Sequence, residues 1–276
     1  MSRLICPTPA TLAAENTLPP AFAALKAGVT AALETYANVH RGSGQASQVT
    51  TYLYEKAREI VLETLGLDAR RYQVIFCSPR KAALLQARLK PGSYQVLSSQ
   101  ETGLSLGVRA MAVDKSALPG GAPFQSGGGT ARLVSPRWVV WAKTPDRFEA
   151  GTPAIINILA FARALRLSRQ FGPAVFQTKP AGESSAERIL YQDALGDLQG
   201  KELLEALRGC LIGRGRLAPT LDGLRPYINL DNAASTPTFA PIWEAAWQTW
   251  LAPEPVQRQV VEAVKAICAE VLGAPL

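Results

Sequence analysis

The run from Thr50 to Leu89 constrains the fold most, because its apolar pattern changes period twice. Leu53, Ala57, Ile60, Val61 and Leu65 recur at helical spacing and share one face. Gly66 is the natural stop for that helix, since glycine readily takes the left-handed conformation that closes a C-terminus. Tyr72-Gln-Val-Ile-Phe-Cys77 then reads as a buried strand, and Arg80 to Leu89 as the helix after it. Such alternation predicts an α/β protein.

The rest of the chain continues the alternation. A helix is expected over 21–33, and 38–44 is a loop because Gly42 and Gly44 flank a serine. Lys90-Pro-Gly92 is a turn. Residues 94–98, 108–113, 131–134 and 138–142 are short strands, with Gln125-Ser-Gly-Gly-Gly129 turning into the third. Residues 152–171 form a long amphipathic helix. A polar linker follows over 173–185, then helical segments over 186–213 interrupted by Gly196 and Gly200. A second linker, rich in Gly, Pro and Arg, spans 213–225. The last helices cover 242–250 and 256–272.

Composition narrows the function. At 47% hydrophobic over 276 residues the chain can bury a sizeable core. Its net charge is +7, from 29 Lys and Arg against 22 Asp and Glu. These basic residues are dispersed, with no run of five and no interleaved aromatics, so they read as a solvated face and not as a nucleic-acid site. Cys6, Cys77, Cys210 and Cys268 include no C-x-x-C pair, and His40 is the only histidine. Zinc chemistry and a Ser-His-Asp triad are therefore unsupported. No secretory signal and no apolar run long enough for a membrane span are visible, so a reduced, cytoplasmic protein is expected.

Three segments carry a more specific message: Tyr36-Ala-Asn-Val-His-Arg-Gly42, Arg147-Phe-Glu-Ala-Gly-Thr-Pro153 and Leu230-Asp-Asn-Ala-Ala-Ser-Thr-Pro237. Together they resemble the class V aminotransferase and cysteine desulfurase family, whose members use pyridoxal phosphate. In that family the Leu-Asp-Asn-Ala-Ala element precedes the Asn-x-His-Arg-Gly element; here it follows. The resemblance implies a reduced fold-type I architecture with a shortened sheet and flanking helices. It also implies an amino-acid substrate for transamination or desulfuration, and a homodimer or an intact relative as partner.

Resemblance further places Asn38, His40 and Arg41 at the cofactor-site entrance and Gly127, Gly128 and Gly129 at a turn near the cofactor phosphate. Arg147, Glu149, Gly151 and Thr152 fall beside the site, and Asn232 in the displaced element. Each has a plainer reading: the glycines serve backbone geometry, Thr152 caps its helix, and Glu149 pairs with Arg147. The family's phosphate-binding turn falls on Cys77-Ser-Pro-Arg-Lys81, which keeps Ser78 and leaves Arg80 and Lys81 to hold an anion at a helix start. Its imine lysine falls on Glu101 and the neighbouring histidine on Gln100. A carboxylate cannot form an imine. Between Leu89 and Ser98 there is no room for the strands that bring the ring-nitrogen aspartate, so the chain reads as internally deleted and catalytically incomplete. Lys115 reads as a surface lysine. Cys210, between Leu207 and Leu211, reads as buried and inert.

Finally, residues 57–66 and 264–273 align without gaps, with Ile60/Ile267, Glu63/Glu270 and Leu65/Leu272 matched and a basic residue at 58 and 265. The domain reading is therefore a reduced class V-like copy over 1–172, a helical and linker region over 173–226, and the start of a second copy over 227–276. That arrangement is expected of the N-terminal part of a longer two-copy enzyme. The alternative is a pseudo-enzyme that dimerises with or regulates an intact relative. In the second copy Trp243, Trp247, Trp250, Val260, Val264 and Leu272 are expected to form an apolar face lacking its full partner.

Overall fold

A computed structural model describes residues 18–40, 42–180, 185–191, 195–231 and 235–274. In chain order its elements are α1 (Pro20–Glu34), α2 (Gln45–Leu65), β1 (Tyr72–Cys77), α3 (Pro79–Gln86), β2 (Tyr94–Ser98), β3 (Arg109–Asp114), β4 (Ala131–Val134), β5 (Val139–Trp141), α4 (Ile155–Phe171), α5 (Ala186–Leu190), α6 (Gly200–Gly209), β6 (Leu217–Thr220), β7 (Gly223–Pro226), α7 (Ala240–Leu251) and α8 (Glu254–Leu272). The fold is α/β with small sheets. None of the helices among the described residues is long and apolar enough to cross a membrane.

Two compact units emerge. One is residues 35–177; the other joins the residues up to Glu34 to those from Thr178 onward. This follows packing, whereas the division into 1–172, 173–226 and 227–276 is a reading of ancestry.

In the unit 35–177, β1, β3 and β2 form one sheet in that order, antiparallel throughout. Val74, Ile75 and Phe76 of β1 and Ala110 to Val113 of β3 are buried, which is why these runs carry no charge. One face carries Ile75, Cys77, Met111 and Val113, packed on Ala82 and Leu85 of α3. On the other, Phe76 meets Tyr54 of α2 edge-on, with ring centroids 5.3 Å apart. All three strands fall on runs read as strands in the sequence. Helix α4 packs mainly along α2 and reaches the turn 99–102 after β2, and its Asn157 Nδ2 donates to the Leu106 carbonyl at 2.9 Å in the loop that follows. It starts at Ile155 with Ala154 as N-cap, so Thr152 does not cap it.

The second unit is built around tryptophan. Phe22, Leu25 and Val29 line the buried stripe of α1. Trp243 and Trp247 of α7 are also buried, and with Trp250 they form a ring cluster at centroid distances of 5.3–6.2 Å. Trp243 Nε1 donates to Thr30 Oγ1 at 2.9 Å, and Lys26 Nζ lies 2.9 Å from Glu244 Oε2. Of the six-residue face expected to lack its full partner, Trp243, Trp247 and Val260 are buried and Trp250 is half-buried, with α1 supplying part of the cover, whereas Val264 and Leu272 stay exposed at 42% and 79%, beside Val261 and Val271. The expected linker 213–225 contains a hairpin, β6 paired with β7 through Leu221-Asp222. Asp222-Gly223 is a tight-turn signal that the surrounding Gly, Pro and Arg obscure.

Since Trp247 is 1% accessible, Trp247→Ala should cost about 3–5 kcal/mol of stability in chemical denaturation. A loss below 1 kcal/mol would mean that this cluster is not a core.

Candidate functional site

Glu149 is the side chain on which the candidate site is assembled. It leaves a 3-10 turn, Asp146–Phe148, and enters the body of the unit 35–177 with its side chain 7% exposed. Its Oε1 accepts from Phe76 N at 2.6 Å and from Arg58 Nη1 at 2.8 Å. Its Oε2 accepts from Tyr54 OH and Arg58 Nη2, both at 2.9 Å. The Arg58 guanidinium also donates to the Val74 carbonyl at 2.5 Å and stacks over Tyr54 and Phe76. The partner of Glu149 is thus Arg58, not Arg147 as the sequence alone suggests. Burial works against the charge on Arg58, but Glu149 outweighs it and raises the guanidinium pKa. Burial and the same carboxylate push the Tyr54 phenol well up.

Arg147 does a different job. Its Nε donates to the Ala142 carbonyl at 2.8 Å and its Nη1 to the Gly120 carbonyl at 2.7 Å. It ties two loops together and so aims the turn that carries Glu149. The glycine turn backs onto the same segment: Gly151 N donates to the Gly128 carbonyl at 2.8 Å. A Cβ on Gly127 would stand 3.2 Å from the Ala150 Cβ, so only glycine fits without displacing it.

Around this frame lie two clefts. The larger, about 680 Å³, is lined by Asn38, His40, Gly129, Glu149 and Gly151, with Arg132, Lys143 and Asp146 adding charge. The loop carrying Asn38 and His40 is latched by the start of α2: Ser47 Oγ donates to the Asn38 carbonyl at 2.8 Å, and His40 N donates to Thr51 Oγ1 at 3.0 Å. His40 adopts φ 58°, unusual for a residue other than glycine. Its Nε2 is 3.3 Å from Glu55 Oε1 and 3.8 Å from Asp146 Oδ1. The hydrogen bond to Glu55 raises the His40 pKa, with Asp146 helping and burial opposing. Burial pushes the Asp146 carboxyl up. Burial also works to raise Glu55, yet hydrogen bonds from His40 and Arg58 hold it below its ordinary value.

The smaller cleft, about 190 Å³, is lined by Ser78, Lys81, Cys77 and Thr152 and shares Glu149 and Gly151 with the larger. Ser78 is the N-cap of α3, its Oγ accepting from Lys81 N at 3.3 Å. Lys81 Nζ donates to the Ala150 carbonyl, so its ammonium is already engaged. Burial pushes the Cys77 thiol up to about 12, which leaves it un-ionised at neutral pH.

Seven sequence-chosen residues therefore line one cleft or both: Asn38, His40, Gly129, Glu149, Gly151, Ser78 and Thr152. Gly127, Gly128 and Arg147 support them from behind. Arg41 and Asn232 lie outside the described residues. Arg58, Tyr54, Asp146, Lys143 and Arg132 escape sequence reasoning. Arg58 shares the stripe side of α2 with Ala57 and Val61, and its burial beside Tyr54 is the one signal that a carboxylate must meet it.

Residues 98–101 form a closed local turn. Glu101 Oε1 accepts from Ser98 N at 3.0 Å and Ser98 Oγ caps the same turn, a reciprocal capping box. Gln100 Oε1 accepts from Arg109 Nη2 at 3.0 Å. Lys115 Nζ donates to the Ala69 carbonyl at 2.7 Å. Cys210 is buried behind α6, its carbonyl accepting from Ala240 N at 2.7 Å.

The family model for class-V aminotransferases matches residues 96–199. The match takes in the capping box, the glycine turn and the Arg147–Thr152 element, and it runs on through 173–199, which the motifs alone leave out. Among solved structures, an apo cysteine desulfurase from Thermococcus onnurineus NA1 is 17% identical, with 53% of this chain and 65% of that one covered and a TM-score of 0.41. The cysteine desulfurase CsdA of Escherichia coli, in its S-sulfonic acid form, is 14% identical, with 61% and 73% covered and a TM-score of 0.42. The chain thus spans just under two thirds of the length of the Thermococcus onnurineus protein. No curated protein matches it.

Two outcomes are expected. Glu149→Ala strands a buried guanidinium and should cost about 3–5 kcal/mol in chemical denaturation. Arg58→Met in the Glu149→Ala background should cost less than Arg58→Met in the wild type, and equal costs in the two backgrounds would refute the pairing. Because the folded-state pKa of His40 is raised, its stabilisation is fully present below the ordinary value of 6.5 and fades as pH rises through the folded pKa. Denaturation midpoints of the wild type and His40→Gln should therefore differ more in mild acid than in mild alkali; a gap that widens with pH has the wrong sign.

Proposed function

We propose that this chain, which carries class-V aminotransferase sequence over residues 96–199, is a catalytically incomplete member of that pyridoxal phosphate-dependent family. It acts as a non-catalytic module that pairs with a second copy or an intact relative. The reading rests above all on Glu101. Where the family's imine lysine falls, this chain has a carboxylate, and that carboxylate is tied back onto Ser98 N.

Three further observations support it. Glu149, the carboxylate shared by both clefts, has each oxygen occupied by two donors, so it is not available to hold a ring nitrogen. Pro79 offers no N–H to a phosphate at the start of α3. The sheet around the clefts closes as an antiparallel three-strand unit, with β2 joined to β3 by residues 99–108. The residues present therefore do not assemble a site for an imine-bound cofactor. The amino-acid chemistry of the family stays with relatives that keep the lysine.

Addition of pyridoxal phosphate to the purified chain, borohydride reduction and peptide mapping test this. No stoichiometric lysine adduct and no aldimine absorbance are expected. One dominant adduct, for example at Lys143 or Lys115, together with amino-acid turnover, would overturn the reading.

A further inference from the structure

The C-terminal helix repeats α2 in more than sequence. Glu55, Arg58, Ile60, Glu63 and Leu65 of α2 correspond to Glu262, Lys265, Ile267, Glu270 and Leu272 of α8 at a constant offset. Both helices carry the same i,i+3 ion pair: Arg58 Nε is 3.2 Å from Glu55 Oε1, and Lys265 Nζ is 2.7 Å from Glu262 Oε1. Their ends match as well. Gly66 has φ 66° and ψ 30°, Gly273 has φ 62° and ψ 27°, and each donates its N–H to the equivalent glutamate carbonyl. The next amide bonds back to an equivalent carbonyl too, Leu67 N to Leu62 and Ala274 N to Ala269.

Their exposure differs sharply. In α2, Tyr54, Ala57 and Val61 are 0–1% accessible, because β1 and α4 pack on them and Glu149 meets Arg58. The equivalent positions in α8 are Val261 at 50%, Val264 at 42% and Cys268, which is exposed. Val256 and Val260, at the start of α8, are covered by α5 and α7, and the covering stops there. The face that α2 uses to bind its sheet is thus present on α8, apolar and bare, with a cation on the same flank.

We propose that the C-terminal half of α8 is a docking face for a partner polypeptide presenting an apolar helix and an apolar strand of the α4 and β1 type, with a carboxylate placed to meet Lys265. The occupant follows from α2, whose cover is visible: α4, a strand of consecutive apolar residues and Glu149. The sheet of a second copy is not the occupant, because it already carries α2 on one face and α3 on the other.

Cys268 sits where Val61 is fully buried, so it reports occupancy. The chain is extended after Gly273 with a copy of its own residues 67–177, the segment that covers α2. Cys6→Ser, and Cys77→Ser in the appended copy, leave Cys268 as the accessible thiol beside buried Cys77 and Cys210. Maleimide labelling of Cys268 should slow by about tenfold or more against the unextended chain, and Lys265→Ala should weaken that protection. An unchanged labelling rate, or an appended segment whose amides exchange freely, would overturn the proposal. So would protection that grows with concentration in the unextended chain, since a second copy would then be the occupant.

Discussion

The pairing of Arg58 with Glu149 holds the unit 35–177 together, and the site takes its form from it. The two residues lie far apart in the chain, on α2 and on the loop before α4. A buried ion pair is stable only if its remaining hydrogen-bonding capacity is used. Here Tyr54 OH, Phe76 N and the Val74 carbonyl use it, so helix, strand and loop are fixed against one another at one point. Arg147 and the glycine turn are then best understood as aiming devices for Glu149. The cost is chemical: the carboxylate that faces both clefts is spent on architecture.

The larger cleft carries acidic and basic side chains together, Asp146 and Glu149 with Arg132 and Lys143, and His40 lies between Glu55 and Asp146. The glycine turn and the segment 147–152 shape the cleft wall, and Glu101 serves the backbone by closing a capping box with Ser98.

Much of the fold was legible in the sequence, because continuous apolar runs such as Val74 to Cys77 and Ala110 to Val113 leave few alternatives to a buried strand. The start of α2 was less so: Gln45 to Gln48 are mostly polar, and they are helical because Ser47 and Thr50 latch the preceding loop. The hairpin at 217–226 was hidden by its Gly, Pro and Arg content. At the site, local motifs located the loops but not the bonds. Pattern reasoning paired Glu149 with Arg147, its neighbour in sequence, while the actual partner is set by tertiary packing that no spacing rule encodes. The same holds for the tryptophans of α7, whose cover comes from α1 and not from a missing partner.

That cover has a consequence during synthesis. Thr30 and its partner Trp243 are 213 residues apart. At a translation rate of roughly 5–20 residues per second, α1 leaves the ribosome some ten to forty seconds before the helix it packs on exists. Throughout that interval Phe22, Leu25 and Val29 have no completed core to enter. The intervening unit, 35–177, is contiguous and can fold meanwhile. The sequence separation thus obliges α1 to wait for α7 while the intervening unit has all of its own residues at hand.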